Sequence, residues 1–209
     1  QNLVGELYEH TPFYVHRQAL LVQQNENRRD DVLLVEELLR GHGYETRTIG
    51  VEECTKACVE TAIYKLAKDS RRNSRTVFYH AGHGYSDTIN GIALRSYNPM
   101  DGDNPYEFGY GPFGLFHLLG NVKGKKAIII DACHSGEFTE FLKSWRGEPL
   151  ITDYVVIAST TKDGSFTVGH WTVPERSPLE GRVISHTIHW LYNCSHKRRV
   201  DLSKAPIGA

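Results

Sequence analysis

Short apolar runs alternate with segments of helical periodicity along most of the chain. Residues 19–23 (Ala-Leu-Leu-Val-Gln) make an apolar run of buried-strand length. Asp30 and Asp31 then open a segment, Val-Leu-Leu-Val-Glu-Glu-Leu-Leu-Arg, that closes at Arg40 and Gly41-His42-Gly43. Acidic residues at the start, a basic one at the end and glycines beyond are helix boundary signals, because they complement the dipole and release the backbone. Residues 45–49 alternate as a second strand would. Over 55–68, Ala57, Val59, Ala62, Ile63, Leu66 and Ala67 lie largely on one stripe, which predicts an amphipathic helix.

Residues 76–80 and 127–130 predict two more strands, the second (Ala-Ile-Ile-Ile) being the most strand-like run in the chain. Residues 154–159 predict another strand, and 115–119, 138–142 and 181–193 predict helices. The Gly-, Pro- and Asn-rich stretch from Tyr85 to Gly114 is too long for a simple connection, so a functional loop or a hairpin is expected there. Apolar strands alternating with amphipathic helices define an α/β domain with a mainly parallel sheet.

Composition narrows the function. The chain has 209 residues, 40% of them hydrophobic, with 24 basic and 25 acidic side chains for a net charge of −1. That fits a single domain over 1–209, complete or a piece of a longer chain, and Gln1 in place of Met suits a processed or trimmed segment. Near-neutrality argues against nucleic acid as a partner, and the basic clusters Arg71-Arg72, 123–126 and 197–199 are expected to be solvated faces. No apolar run approaches the ~20 residues that span a bilayer and no signal-peptide pattern opens the chain, so no membrane partner and a cytoplasmic location are expected. Cys54, Cys58, Cys133 and Cys194 are too sparse for a disulfide scaffold. Cys54 and Cys58 stand one helical turn apart, but nothing completes a four-ligand zinc site with them, and core packing is the expected role.

Cys133 is the exception. In open parallel sheets, sites form where loops leave the carboxyl ends of strands. The strand at 76–80 delivers His83 between Gly82 and Gly84, and the strand at 127–130 delivers Asp131-Ala132-Cys133-His134-Ser135-Gly136. Neighbouring strands, ~4.8 Å apart, would set imidazole and thiol in one crevice. Each residue alone is more often a loop histidine or a packing cysteine; the pair is the minimum apparatus of a cysteine hydrolase. Gly84 and Cys133 would offer their backbone N–H groups to the oxyanion, and a helix starting near Gly136 would turn its positive end toward the nucleophile. A metal held by His80, His83, Cys133 and His134 fits the flanking glycines less well than a dyad does.

His80-Ala81-Gly82-His83-Gly84 and Asp131-Ala132-Cys133-His134-Ser135-Gly136 resemble the two catalytic motifs of the caspase-like peptidases, most closely the metacaspase branch. The order of elements from Ala19 to about Asn193 extends the resemblance over nearly the whole chain. It implies a caspase fold with a six-stranded, mostly parallel sheet, Cys133 as nucleophile, His83 as general base and acid, and His80 and His134 as bystanders. Asp131 lies two residues before the nucleophile, and strand alternation would set it on the same side, where a carboxylate selects a cationic P1 residue. Caspases proper carry Gln at this point. Asp31 fits the second acidic residue of the metacaspase pocket, Asp30 less well, and the alternative role of both is to start the helix.

The pattern leaves choices open. Metacaspases usually have Ser where Ala81 stands. Arg28 and Arg29 stand close to Asp31, and either one entering the pocket would favour an acidic P1. The substrates implied are polypeptides. No cofactor is required; Ca²⁺ activation stays open, with Asp101 and Asp103 expected to form a turn first, and Glu137 and Glu140 beyond Cys133. A monomeric single-chain enzyme is favoured over one matured by cleavage, the alternative for which Lys143 and Arg146 are the candidate self-cleavage points. The reading from another class is an inactive caspase-like domain serving as a regulatory or scaffolding module.

Overall fold

The structure, a computed structural model, describes residues 15–87, 91–94, 109–144, 154–160, 171–172 and 183–184. Strand β1 (Arg17–Gln23) leads through a 3-10 turn (Glu26–Arg28) into helix α1 (Arg29–Gly41) and strand β2 (Glu45–Ile49). Helix α2 (Lys56–Asp69) and strand β3 (Arg75–Ala81) follow. A hairpin of β4 (Gly84–Asp87) and β5 (Gly91–Leu94) then precedes helix α3 (Pro112–Gly120) and strand β6 (Lys125–Asp131). Helix α4 (Gly136–Ser144), β7 (Tyr154–Ala158), β8 (Trp171–Thr172) and β9 (Val183–Ile184) complete the described elements.

The boundary signals act as expected. Asp30 and Asp31 sit in the first turn of α1 and Arg40 in its last, where Arg40 pairs with Glu36 at 2.8 Å. The Thr55 hydroxyl caps α2 by accepting from the Cys58 amide at 3.2 Å. The Tyr85–Gly114 stretch does contain a hairpin, antiparallel from Gly84↔Leu94 to Asp87↔Gly91. One expectation is corrected: Val183–Ile184 is extended and pairs antiparallel with Trp171–Thr172, so no helix starts at 181. The rest of 181–193 lies outside the described residues, as do Cys194, Arg146 and the basic cluster at 197–199.

Among the described residues the central sheet has five parallel strands, in the order β2-β1-β3-β6-β7, of the mostly parallel six that were implied. The chain moves one way from β1 to β2, then reverses and runs from β2 through β3 and β6 to β7. Right-handed crossovers place helices on opposite faces when direction reverses. Accordingly, among the described residues, α1 packs on one face, through Val32, Leu34 and Val35 against Ala19, Leu21, Val77, Tyr79 and Ile129. Helices α2, α3 and α4 cover the other, through Ile63, Leu66, Leu115, Phe116 and Phe138 against Leu20, Val22, Phe78, Ile128 and Ile130. The alternation along β3 and β6 therefore sends Tyr79 and Asp131 toward α1, and His80 toward the three-helix side.

Two further expectations change. Lys126 is no solvated lysine: it is 4% exposed, and its ammonium donates to the Val122 and Gly124 carbonyls at 2.7 Å each. Arg71, Arg72, Lys123 and Lys125 are exposed as expected. Strand alternation stops at Asp131, because Cys133 lies in the turn beyond β6, so it does not set the side on which Cys133 stands. Cys54 is fully buried in the core and Cys58 packs against it, as expected. Among the described residues no helix is long and apolar enough to cross a membrane.

Phe138 seats α4 on the sheet, wholly buried with its ring centroid 6.3 Å from that of Phe116. Phe138→Ala is expected to lower stability by about 3–5 kcal/mol in urea unfolding, through lost burial and a cavity the rigid sheet cannot close.

Candidate active site

The reversal of strand order makes β1 and β3 a topological switch point, where the loops diverge and leave a crevice. Backbone bonds hold its floor: the Gln24 amide donates to Ala81 O at 2.9 Å, and the Gly82 amide to Asp131 O at 3.2 Å. His83 rises from this floor. Its amide donates to Gln24 Oε1 at 2.9 Å, and its ring Nε2 lies 2.8 Å from Asn25 Nδ2.

The glycines around His83 are needed for close approach. A Cβ on Gly82 would lie 2.6 Å from the Gln24 side chain, and one on Gly84 would strike the carbonyl oxygen of Cys133. The structure thus brings the two motifs together backbone to backbone. His83 is exposed and Cys133 half-buried, so both are open to a ligand from outside.

The turn carrying Cys133 is held from β7, a contribution that sequence reasoning missed. The Ala132 amide donates to Ser159 Oγ at 3.1 Å, and the Ser159 hydroxyl donates back to Ala132 O at 3.2 Å. Ser135 and Thr160 exchange backbone-to-side-chain bonds at 3.0 and 3.1 Å. His134 adopts φ 58°, a left-handed conformation that this bonding holds in place. The only hint in the sequence is a Ser-Thr-Thr step after the apolar run of β7. Helix α4 begins at Gly136 just past the turn, as expected.

Asp31 and Asp131 are brought together, and Arg28 stands between them. Its guanidinium pairs with Asp31 Oδ2 at 3.0 Å and with Asp131 Oδ2. The three residues are 4%, 2% and 0% exposed, respectively for Arg28, Asp31 and Asp131. Tyr79 adds its hydroxyl, donating to Asp131 Oδ2 at 3.3 Å. Burial opposes the Arg28 charge, but Asp131 and Asp31 outweigh it and hold the guanidinium above its usual pKa. Burial first, then the two carboxylates, push the Tyr79 phenol well above its usual range, so it remains a donor. Arg29 is exposed and Asp30 only partly buried, so neither shares this cluster's buried position.

His80 takes no exposed position in the crevice. It is wholly buried on the three-helix side, its Nδ1 2.8 Å from the Tyr110 hydroxyl. Burial, then Arg28 and His83, lower its pKa to about 3, which keeps the imidazole neutral. Glu137 accepts from the Ser86 hydroxyl at 3.2 Å, and Glu140 pairs with Lys143 at 2.7 Å. Among the described residues no group of three or more His, Cys, Asp or Glu side chains is placed to hold a metal, and Asp101 and Asp103 lie outside them.

Comparison with known proteins adds one decisive match. The family model described as the caspase domain, a peptidase family, matches residues 17–197. No curated protein matches. Among solved structures, a Geobacter sulfurreducens protein determined as a structural-genomics target is similar with a TM-score of 0.44 and 18% identity over 66% of this chain. The chain spans 60% of that neighbour's length.

The buried imidazole makes stability depend on pH. His80 binds its proton near 6.5 when unfolded but only at about 3 when folded, so the unfolded state takes up the extra proton in between. Stability is full above about pH 6.5 and falls toward pH 3, by up to ~1.4 kcal/mol per pH unit. Urea unfolding across this range is expected to show a flatter acid limb for His80→Gln than for the wild type. Equal slopes would remove His80 as the cause.

Proposed function

Because the chain belongs to the caspase-domain family of cysteine peptidases, we propose that it is a cysteine endopeptidase of metacaspase type acting through Cys133 and His83. The observation that carries this reading is the seating of Gly84 against the Cys133 carbonyl, which joins the histidine and cysteine turns at one sheet edge. In the proposed cycle His83 takes the thiol proton and the sulfur of Cys133 bonds to the scissile carbonyl carbon. The amides of Gly84 and Cys133 hold the resulting oxyanion. As the C–N bond breaks, the imidazolium gives its proton to the leaving amine, and water then hydrolyses the thioester.

The P1 preference follows from charge. Two carboxylates, Asp31 and Asp131, both pair with Arg28 in this cluster. That supports a Lys or Arg P1, whose cation would compete with Arg28 for the two carboxylates. The Arg28 ion pairs also support a second reading, in which the guanidinium turns to an acidic P1 residue.

Paired chloromethylketone probes with P1 Arg and P1 Asp test both. Labelling by the Arg probe is expected, lost in Cys133→Ala and weakened about tenfold or more in Asp31→Asn. Labelling by the Asp probe alone, lost in Arg28→Gln, would establish the second reading. If neither probe labels a chain whose circular dichroism reports a folded state, the domain is a scaffold and the enzymatic reading falls.

A further inference from the structure

Past Ile130↔Ala158, the last paired position of β6 and β7, side chains carry the ladder on. The Ser159 amide still donates to Ile130 O at 3.1 Å, as a strand partner would. Two residues further along β6, the Ser159 hydroxyl serves Ala132 in place of backbone. Its oxygen accepts from the Ala132 amide at 3.1 Å, and its proton goes to Ala132 O at 3.2 Å. The Thr160 hydroxyl donates to the same carbonyl at 3.3 Å. A carbonyl oxygen has two lone pairs and only accepts, so both hydroxyls act on it as donors.

Ser135 closes the network. Its amide donates to Thr160 Oγ1 at 3.0 Å, and its hydroxyl oxygen accepts from the Thr160 amide at 3.1 Å. The Ser135 proton can then return to Thr160 Oγ1, 3.1 Å away, so every hydroxyl hydrogen has an acceptor. Ala132 and Ser135 are both wholly buried, which shields these bonds from competing water.

A trans peptide is planar, and its C=O and N–H point in opposite directions. The Ala132–Cys133 peptide is trans. Ala132 O faces the hydroxyls beyond β7, so the Cys133 N–H faces the other side of β6. Strand β3 lies on that side, and with it the loop of His83 and Gly84. We propose that Ser159 and Thr160 are positioning residues for the oxyanion site: by holding Ala132 O they aim the Cys133 N–H into the crevice. The inference deepens the endopeptidase reading and rests on it. Hydrogen bonds to a carbonyl also polarise its peptide, so the same hydroxyls make the Cys133 N–H a stronger donor. The donor is oriented before charge develops on the substrate oxygen, and no reorganisation is needed at that moment.

Alanine precedes cysteine at two places, Ala57-Cys58 and Ala132-Cys133. Full-length chain carrying ¹³C-carbonyl alanine and ¹⁵N-cysteine therefore gives two carbonyl–amide cross-peaks, and loss of one in Cys133→Ala assigns it. In Thr160→Val and in Ser159→Ala the Ala132 carbonyl is expected to move upfield as it loses a hydrogen bond. The Ala57 signal stays in place as the internal control, and Thr160→Ser keeps the wild-type position. Either hydroxyl-free variant alone carries the test should the other fail to fold. On a peptide of the P1 class that labels, both are expected to lose about tenfold or more in kcat with KM little changed, because the oxyanion is absent from the ground state. Thr160→Ser is expected to restore kcat. Alkylation of Cys133 by iodoacetamide forms no oxyanion and is expected to keep its rate, which a general disturbance of the turn would change. An unmoved Ala132 carbonyl, a moved one with kcat unchanged, or alkylation slowed as much as kcat would overturn the proposal. If Ala132 responds as expected and neither probe labels the wild-type chain, the peptidase reading fails while the hold of the two hydroxyls on this peptide stands.

Discussion

A guanidinium almost sealed from water at the C-terminal edge of the sheet sets the terms for everything near it. Arg28 is stable there only because Asp31 and Asp131 meet it. Those three residues come from the turn after β1, the first turn of α1 and the last position of β6, so one ion cluster ties three elements at the point where the crevice opens. Removing a single member would leave a buried charge unmatched, a far larger penalty than the loss of a surface pair. The register of β6 on β3, Ala81 opposite Asp131, is consequently fixed by charge as well as by apolar alternation.

The opposite side of the crevice is built on close approach. Gly82 and Gly84 let the histidine loop lie against Gln24 and against the cysteine turn, where any side chain would push the two motifs apart. Polar bonds from Ser159 and Thr160 brace the same turn from β7. The candidate residues are thus mounted on a hydrogen-bonded frame, with His83 itself exposed.

The sheet was legible because its signals are local. Apolar runs near four to seven residues, acidic helix starts and a Thr cap are read within a few positions, and β2 (Glu45–Ile49) begins and ends where its alternation does. The candidate dyad was legible for the same reason, as two short motifs at strand ends. What was missed is non-local. Arg28 and Arg29 look alike in the sequence, and only the distant Asp131, together with Asp31, makes the first a buried ion and leaves the second on the surface. Asn25 reads as an ordinary turn residue until β3 is placed beside β1. The two-residue β9 carries too short a pattern to compete with the helical periodicity around it.

The bracing of the cysteine turn also orders events in time. Ala132 and Ser135 find their partners at Ser159 and Thr160, on the far side of α4 and β7. During synthesis the thiol emerges well before the residues that shape its turn. A ribosome-bound chain ending short of position 160 therefore lacks the hydroxyl partners that hold the turn around Cys133.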